Sequence, residues 1–402
     1  MVRIDDIKDC CGCEACVQVC PLECISLRRD SCGFAYPVVD ESLCVDCGKC
    51  EKVCPELRSH SQRQVKAVYA AKNDDEQTRL ASSSGGIFSL IAKYVLDSGG
   101  VVFGVRTDED GMAVFAECGN MDELASLRGA KYMQAEVGDT YKKVRQRLEE
   151  GCMVMFSGTP CHVAALRAFL GRDYDSLFIV EVVCHGVPSP YVWRAYKNDI
   201  LIPSLGTPAV SEINFRDKSR GWKNYSLKVS ARKAADERQT EVFSQIHRDN
   251  DYMMLFLNEL SLRPSCLQCP LRGKASGADI TLGDYWKYRD DSAAHGTSGN
   301  GPASKYLFDD DKGLSLVLIN SDRGGQIFSR LQCSRHKTDF ASAVKGNPSL
   351  VRDPRPNPHA DEFWTVFRQY GITRASGILK KCRPSFLKRF LNLLSRCKKH
   401  LA

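Results

Sequence analysis

Cysteine spacing constrains this chain more than any other feature. Residues 10–55 carry Cys10-x-x-Cys13-x-x-Cys16-x-x-x-Cys20-Pro21, and then Cys44-x-x-Cys47-x-x-Cys50-x-x-x-Cys54-Pro55. Two-residue gaps let the backbone loop over the sulfurs, so three thiolates grip one corner of a cubane, and the proline turns the chain away. Doubled in this way, the run is that of a two-cluster 4Fe–4S module, in which the fourth cysteine ligates the other cluster. Cys10, Cys13, Cys16 and Cys54 are therefore expected at one centre, and Cys44, Cys47, Cys50 and Cys20 at the second. Structural zinc takes cysteines in pairs rather than triplets. A disulfide framework is disfavoured because Met1 is followed by Arg3, Asp5 and Asp6 and not by the apolar run of a secretory leader. Cys11, Cys24 and Cys32 fall outside the pattern and read as small apolar filler.

The remaining composition sets the compartment and the partners. The chain has 402 residues, enough for two or three domains, with 43% hydrophobic and 26% charged residues, as in globular proteins. It has 20 cysteines and no apolar run long enough to span a bilayer, so the expected location is cytoplasmic. The net charge of +7 is uneven. Residues 363–402 hold ten Lys and Arg and no acid, which leaves 46 basic against 49 acidic residues elsewhere. A body at −3 lacks the basic footprint of a nucleic-acid binder.

Residues 1–56 form the cluster module, and the polar stretch 57–66 reads as a linker. Strand material at Ala67–Ala71 leads to Ser82-Ser83-Ser84-Gly85-Gly86, followed by an apolar run at helical spacing. Hydroxyls and bare N–H groups at a helix N-terminus suit either an anion or an ordinary cap. Further on, Cys152–Phe156 and Leu177–Val183 read as buried strands separated by a helix from His162. This is a β–α–β unit, so the strands should be parallel neighbours. Gly158-Thr159-Pro160-Cys161 and Cys184-His185-Gly186 follow their carboxyl ends, where open α/β sheets bind cofactors. Ser211–Lys233 reads as a hairpin with a basic turn around Arg216, Lys218 and Arg220. Cys266-x-x-Cys269 alone is a weak motif, whether redox-active, metal-binding or neither. Combined with Cys161 and Cys184 it completes four thiolates, the set for a third 4Fe–4S cluster. Residues 290–305 read as a flexible insertion. Residues 378–401 read as a basic amphipathic helix with Phe386, Leu387, Phe390, Leu391 and Leu394 on its apolar face. It suits a membrane surface, a partner, or simple packing on the body.

Neither a G-x-G-x-x-G nor a phosphate-binding G-x-x-x-x-G-K-[ST] motif occurs. An electron wire nonetheless needs a terminus, and flavins commonly convert between one and two electrons at such a junction. The run of Ser82–Gly86, Lys131-Tyr132-x-Gln134, Gly158–Cys161, Cys184–Gly186, Arg263-Pro264-Ser265-Cys266-x-x-Cys269 and Asp279-Ile280-Thr281-x-Gly283-Asp284 resembles the family of coenzyme F(420) hydrogenase/dehydrogenase beta subunits over about residues 67–370. Two positions depart from its pattern. Lys287 follows Trp286 where glycine is expected, and Ser276 stands where arginine is expected.

The resemblance implies FAD lined by Ser83, Ser84, Gly85, Gly86, Lys131, Gln134, Gly158 and Thr159, with Cys161, Cys184, Cys266 and Cys269 holding the third cluster beside it. His185, Arg216 and Lys218 are the candidates for substrate contact. The implied activity is electron exchange between a ferredoxin-like partner and a small organic hydride donor or acceptor, a deazaflavin or another compound. The alternative is a non-catalytic electron-transfer subunit of a larger redox complex. The expected architecture is a ferredoxin-like module (1–56), a linker (57–66), a mixed α/β flavin- and iron–sulfur-binding domain with parts at about 67–150 and 151–370, and a basic tail (371–402).

Overall fold

A computed structural model describes residues 1–233, 236–288 and 308–382. The flexible insertion expected at 290–305 and the apolar face expected at Phe386–Leu394 lie outside the described residues.

The cluster module contributes one hairpin, β1 (Ile25–Arg29) with β2 (Ala35–Val39), between its two cysteine runs. The body is built on a mixed sheet that has eight strands among the described residues. These are β3 (Ala67–Asn73), β4 (Val101–Thr107), β5 (Ala113–Cys118), β6 (Val154–Gly158), β7 (Leu177–Val182), β11 (Ile280–Asp284), β12 (Ser315–Ile319) and β13 (Cys333–Thr338), in the spatial order β13-β3-β12-β11-β7-β6-β4-β5. The central pairs β4–β6, β6–β7 and β7–β11 are parallel, and the flanks are antiparallel. Val154–Phe156 and Leu177–Val180 are buried without alternation, as expected of parallel strands covered on both faces. The predicted β–α–β unit is thus present, with the Pro160–Leu170 helix as its crossover.

A second sheet joins β8 (Val210–Asp217), β9 (Ser226–Lys233) and β10 (Asp236–Ile246), all antiparallel. The expected hairpin is β8–β9. Its third strand carries no clear sequence signal, because Glu241 and Gln245 interrupt any apolar alternation.

Residues 57–66 do not behave as a spacer. Gln62 bridges to Lys274, and Arg63 is held by a buried ion pair described below. The 371–382 segment also belongs to the body: Ile372, Ala375, Ile378 and Leu379 are buried in its core.

Candidate functional site

The carboxyl edge of β4, β6, β7 and β11 opens into a cavity of about 420 Å³. That is within the range of small-molecule sites. Gly104 and Val105 reach it from β4, Ser157 and Gly158 from β6, Val182 from β7, and Leu282–Asp284 from β11. Its far wall is the N-terminus of the Ile87–Asp97 helix, with Ser83, Ser84, Gly86, Ile87 and Phe88. Gly85 is obligatory there: a Cβ would lie 2.5 Å from the Ala71 carbonyl oxygen and 2.6 Å from the Ser315 nitrogen. Gly86 adopts φ 82°, a left-handed conformation that glycine reaches without strain. The Ser84 hydroxyl donates to the Leu314 carbonyl, and the Gly85 N–H to the Ser315 hydroxyl. Ser84 therefore braces the loop rather than offering its hydroxyl outward.

Lys131 lines the cavity and donates to the Ser126 and Arg128 carbonyls at 3.0 and 2.7 Å. Burial pulls its ammonium down to about 7. Thr159 lines it too, with Oγ1 2.9 Å from His162 Nδ1 and 3.1 Å from Cys161 Sγ. Burial holds His162 near 4, so the imidazole is neutral at physiological pH. Sequence reasoning misses His162, because a histidine inside an apolar helix carries no local signal.

The other end of the cavity is aromatic and charged. The Arg216 guanidinium donates to Tyr132 Oη at 2.9 Å, Asp284 Oδ2 at 3.0 Å and the Ser83 carbonyl at 3.2 Å. It lies over the Tyr225 and Trp286 rings at 4.1 and 4.6 Å. Asp284 Oδ1 is buried without a partner. His185 lines the same space, with Nε2 3.2 Å from Glu259 and Nδ1 3.4 Å from the Ser349 hydroxyl.

Two expected contacts point elsewhere. Lys218 is not an exposed turn residue. Its ammonium donates to the carbonyls of Ser84, Arg79 and Lys312 at 2.6–2.9 Å and pins the Ser/Gly loop from behind. Gln134 faces the cluster module: its amide nitrogen donates to the Gly12 carbonyl, and its oxygen accepts from Arg263. Of the basic turn, Arg216 alone reaches the cavity, and Arg220 is exposed.

A smaller cavity adjoins the first. Cys161, Cys184, Cys266 and Cys269 all line it, and so does Cys11. The two cavities share Val183, Cys184, Gly186, Val187 and Ser349 as a wall. Arg272 clamps the Cys184–His185 loop by donating to the carbonyls of Cys184, His185 and Ser349. Beneath it, Glu181 is 1% exposed and accepts from Ser276, from Thr281 and from Arg63 at 2.6 Å. Ser276 thus supplies a hydroxyl to Glu181, and the positive charge that faces this carboxylate comes from Arg63 in the 57–66 segment.

In the N-terminal module Cys24, outside the ligand pattern, packs against Cys20 with the two sulfurs 3.3 Å apart. Cys20, Cys44, Cys47 and Cys50 line one pocket. Among the described residues, no three His, Cys, Asp or Glu side chains converge on a single-ion site.

The fold and the cysteine sets define an iron–sulfur protein with a large α/β body, and comparison with known proteins gives its family. Residues 68–141 and 152–338 match the N-terminal and C-terminal regions of the coenzyme F(420) hydrogenase/dehydrogenase beta subunit, and residues 36–59 match a 4Fe–4S binding domain. The chain belongs to the family of coenzyme F(420) hydrogenase/dehydrogenase beta subunits, with a 4Fe–4S module in front. It is 21% identical to one subunit of the F(420)H(2) dehydrogenase of Methanosarcina mazei over 52% of this chain and 60% of that one. It is 25% identical to the coenzyme F420-dependent sulfite reductase of Methanocaldococcus jannaschii over 46% of this chain and 30% of that one. The chain therefore spans about three fifths and under a third of these relatives' lengths. A ferredoxin of Mycolicibacterium smegmatis is 36% identical over 20% of this chain and 70% of its own length. Among the described residues no helix is long and apolar enough to cross a membrane.

Proposed function

We propose that the chain is an FAD- and 4Fe–4S-dependent oxidoreductase that passes electrons between a ferredoxin-like protein and an organic hydride donor or acceptor. The observation that carries this reading is the shared wall: four thiols ring one cavity, and the cavity behind Cys184 and Gly186 is large enough for a planar cofactor and a substrate. FAD, when bound, supplies the conversion between a hydride pair and single electrons.

The chain's residues fit such a group. The N–H groups at Gly86, Ile87 and Phe88 present the positive end of a helix, suited to a diphosphate. Lys131 and Thr159 flank the same space. The aromatic end orients a ring and excludes water, while Arg216, immobilised by three partners, fixes a positive charge there. His185 lines the same cavity, with Nε2 3.2 Å from Glu259, and is the candidate for substrate contact. The names of two relatives, an F(420)H(2) dehydrogenase and a coenzyme F420-dependent sulfite reductase, make that coenzyme, a deazaflavin, the first compound to screen.

Iron and flavin content after anaerobic purification tests the proposal. About 12 iron atoms per chain with one FAD is expected for three clusters. About 8 iron atoms without flavin would instead leave an electron-transfer subunit that carries no flavin chemistry.

A further inference from the structure

Thr159 departs from the usual behaviour of a residue in its place. It stands at the N-cap of the Pro160–Leu170 helix with extended backbone angles. A threonine hydroxyl there ordinarily accepts from the backbone N–H two or three positions on. This one makes no capping bond. It turns instead to the side chains of those same two positions, Cys161 Sγ at 3.1 Å and His162 Nδ1 at 2.9 Å. A forgone cap weakens the helix, so the placement serves something other than local stability. Thr159 lines the large cavity and Cys161 the small one, which puts the hydroxyl on the boundary between them.

The direction of the two bonds follows from counting protons. A hydroxyl has one to give. A cysteine that ligates iron is a thiolate and has none, so between Thr159 and Cys161 only Oγ1 can donate. Oγ1 then accepts from His162 Nδ1. The His162 ring is 3% exposed and stands edge-on to Phe115 at 5.0 Å, which holds it in place. Nδ1–H to Oγ1 and O–H to Sγ form a chain in which each bond polarises the next. Hydrogen bonds to ligand sulfurs are one of the protein's levers on cluster potential, because they stabilise the more negative, reduced state. We propose that the Thr159 hydroxyl, oriented by His162, donates to the Cys161 sulfur and raises the potential of the third cluster, so that an electron is favoured on the centre beside the large cavity. Both are positioning residues, since they act through Cys161. The inference rests on the third-cluster reading above.

The test is a redox titration of the intact chain followed by electron paramagnetic resonance, in wild type, Thr159→Val and Thr159→Ser. Valine keeps the shape and removes the hydroxyl, and serine keeps the hydroxyl. The third-cluster midpoint should fall in T159V and return toward wild type in T159S, while the two N-terminal midpoints stay where they are. An unchanged third-cluster midpoint in T159V overturns the proposal, as does a T159S midpoint as low as that of T159V or an equal shift of all three centres. If T159V takes up no third cluster, Thr159→Ala removes the same hydroxyl with less bulk and is judged by the same midpoint. Loss of the third cluster in T159A as well would overturn the proposal, by making the hydroxyl a requirement for assembly rather than a setting of potential. A wild-type chain with only about eight iron atoms would fail the third-cluster reading itself, whereas an unshifted midpoint in a fully loaded chain fails this inference alone.

Discussion

The two cysteine runs are written almost alike, and the structure treats them in opposite ways. The Cys10–Cys16 loop is pressed into the body. Buried Arg263 donates to the Cys10 carbonyl at 2.6 Å, to the Ala35 carbonyl at 3.0 Å and to Gln134 at 2.9 Å, and lies over the Tyr36 ring at 4.4 Å. Tyr141 Oη donates to the Cys13 carbonyl, and Gln18 Oε1 accepts from Tyr141 N. The Cys44–Cys50 loop faces outward. Cys47 is exposed, and Val45 beside it is 69% exposed. The body's contacts and not the motif make this difference: the same cysteine spacing gives one loop held by the body and one facing outward.

The largest expected effect separates the two centres. Cys13→Ala and Cys47→Ala should each remove about four iron atoms. C13A should also weaken the docking of the module, seen as faster proteolysis near residues 57–66, and should cut electron flow from the outer centre. C47A should leave the body's melting behaviour and its hydride half-reaction intact. Equal loss of both properties in the two variants would break the asymmetry.

Next in size is Arg263→Met. It leaves the Cys10 and Ala35 carbonyls and the Gln134 oxygen buried without their donor, at a cost of roughly 3–5 kcal/mol. Urea unfolding should show the loss with the m-value unchanged, because the surface exposed on unfolding is the same.

How much of this is legible in the sequence depends on the range of the contacts. The cluster run and the β–α–β unit are local patterns, and Cys161 and Cys184 follow from strand ends, so chain order alone places them at one edge. Arg263, Arg272 and Arg63 act on partners 253, 88 and 118 positions away in sequence, and no periodicity marks them. Lys218 reads as a substrate contact because it stands in a basic turn with Arg216 and Arg220. It is buried by carbonyls from three separate segments. Cys11 shows the same limit: it stands between Cys10 and Cys13 in sequence, yet it lines the cavity of Cys161, Cys184, Cys266 and Cys269.

A smaller effect concerns the large cavity, in pH rather than in iron. Unfolded Lys131 holds its proton up to about 10.5, whereas burial makes the folded residue release it near 7. Between those values the unfolded chain binds more protons, so this residue makes stability rise with pH. In cofactor-free protein, Lys131→Met should flatten the stability profile between pH 7 and 10 and stabilise the chain at pH 7. A K131M profile parallel to wild type over that window would show that Lys131 stays charged in the fold, already paired.

The smallest effect is expected on the outer side, and it calibrates the others. Asp46 takes the N-terminal ammonium at 2.6 Å, and that bond raises the ammonium to about 10. The Asp46 side chain is 78% exposed, however, so water and salt replace the pair almost fully when it is broken. Asp46→Asn should leave the melting temperature within experimental error of wild type, with both N-terminal clusters retained. It sits one residue from Cys47, as Arg263 sits against Cys10, so each variant probes a contact beside one cysteine run. If D46N destabilised the chain as much as R263M does, the outer loop would be load-carrying too, and the inner and outer centres could no longer be told apart by how the body holds them.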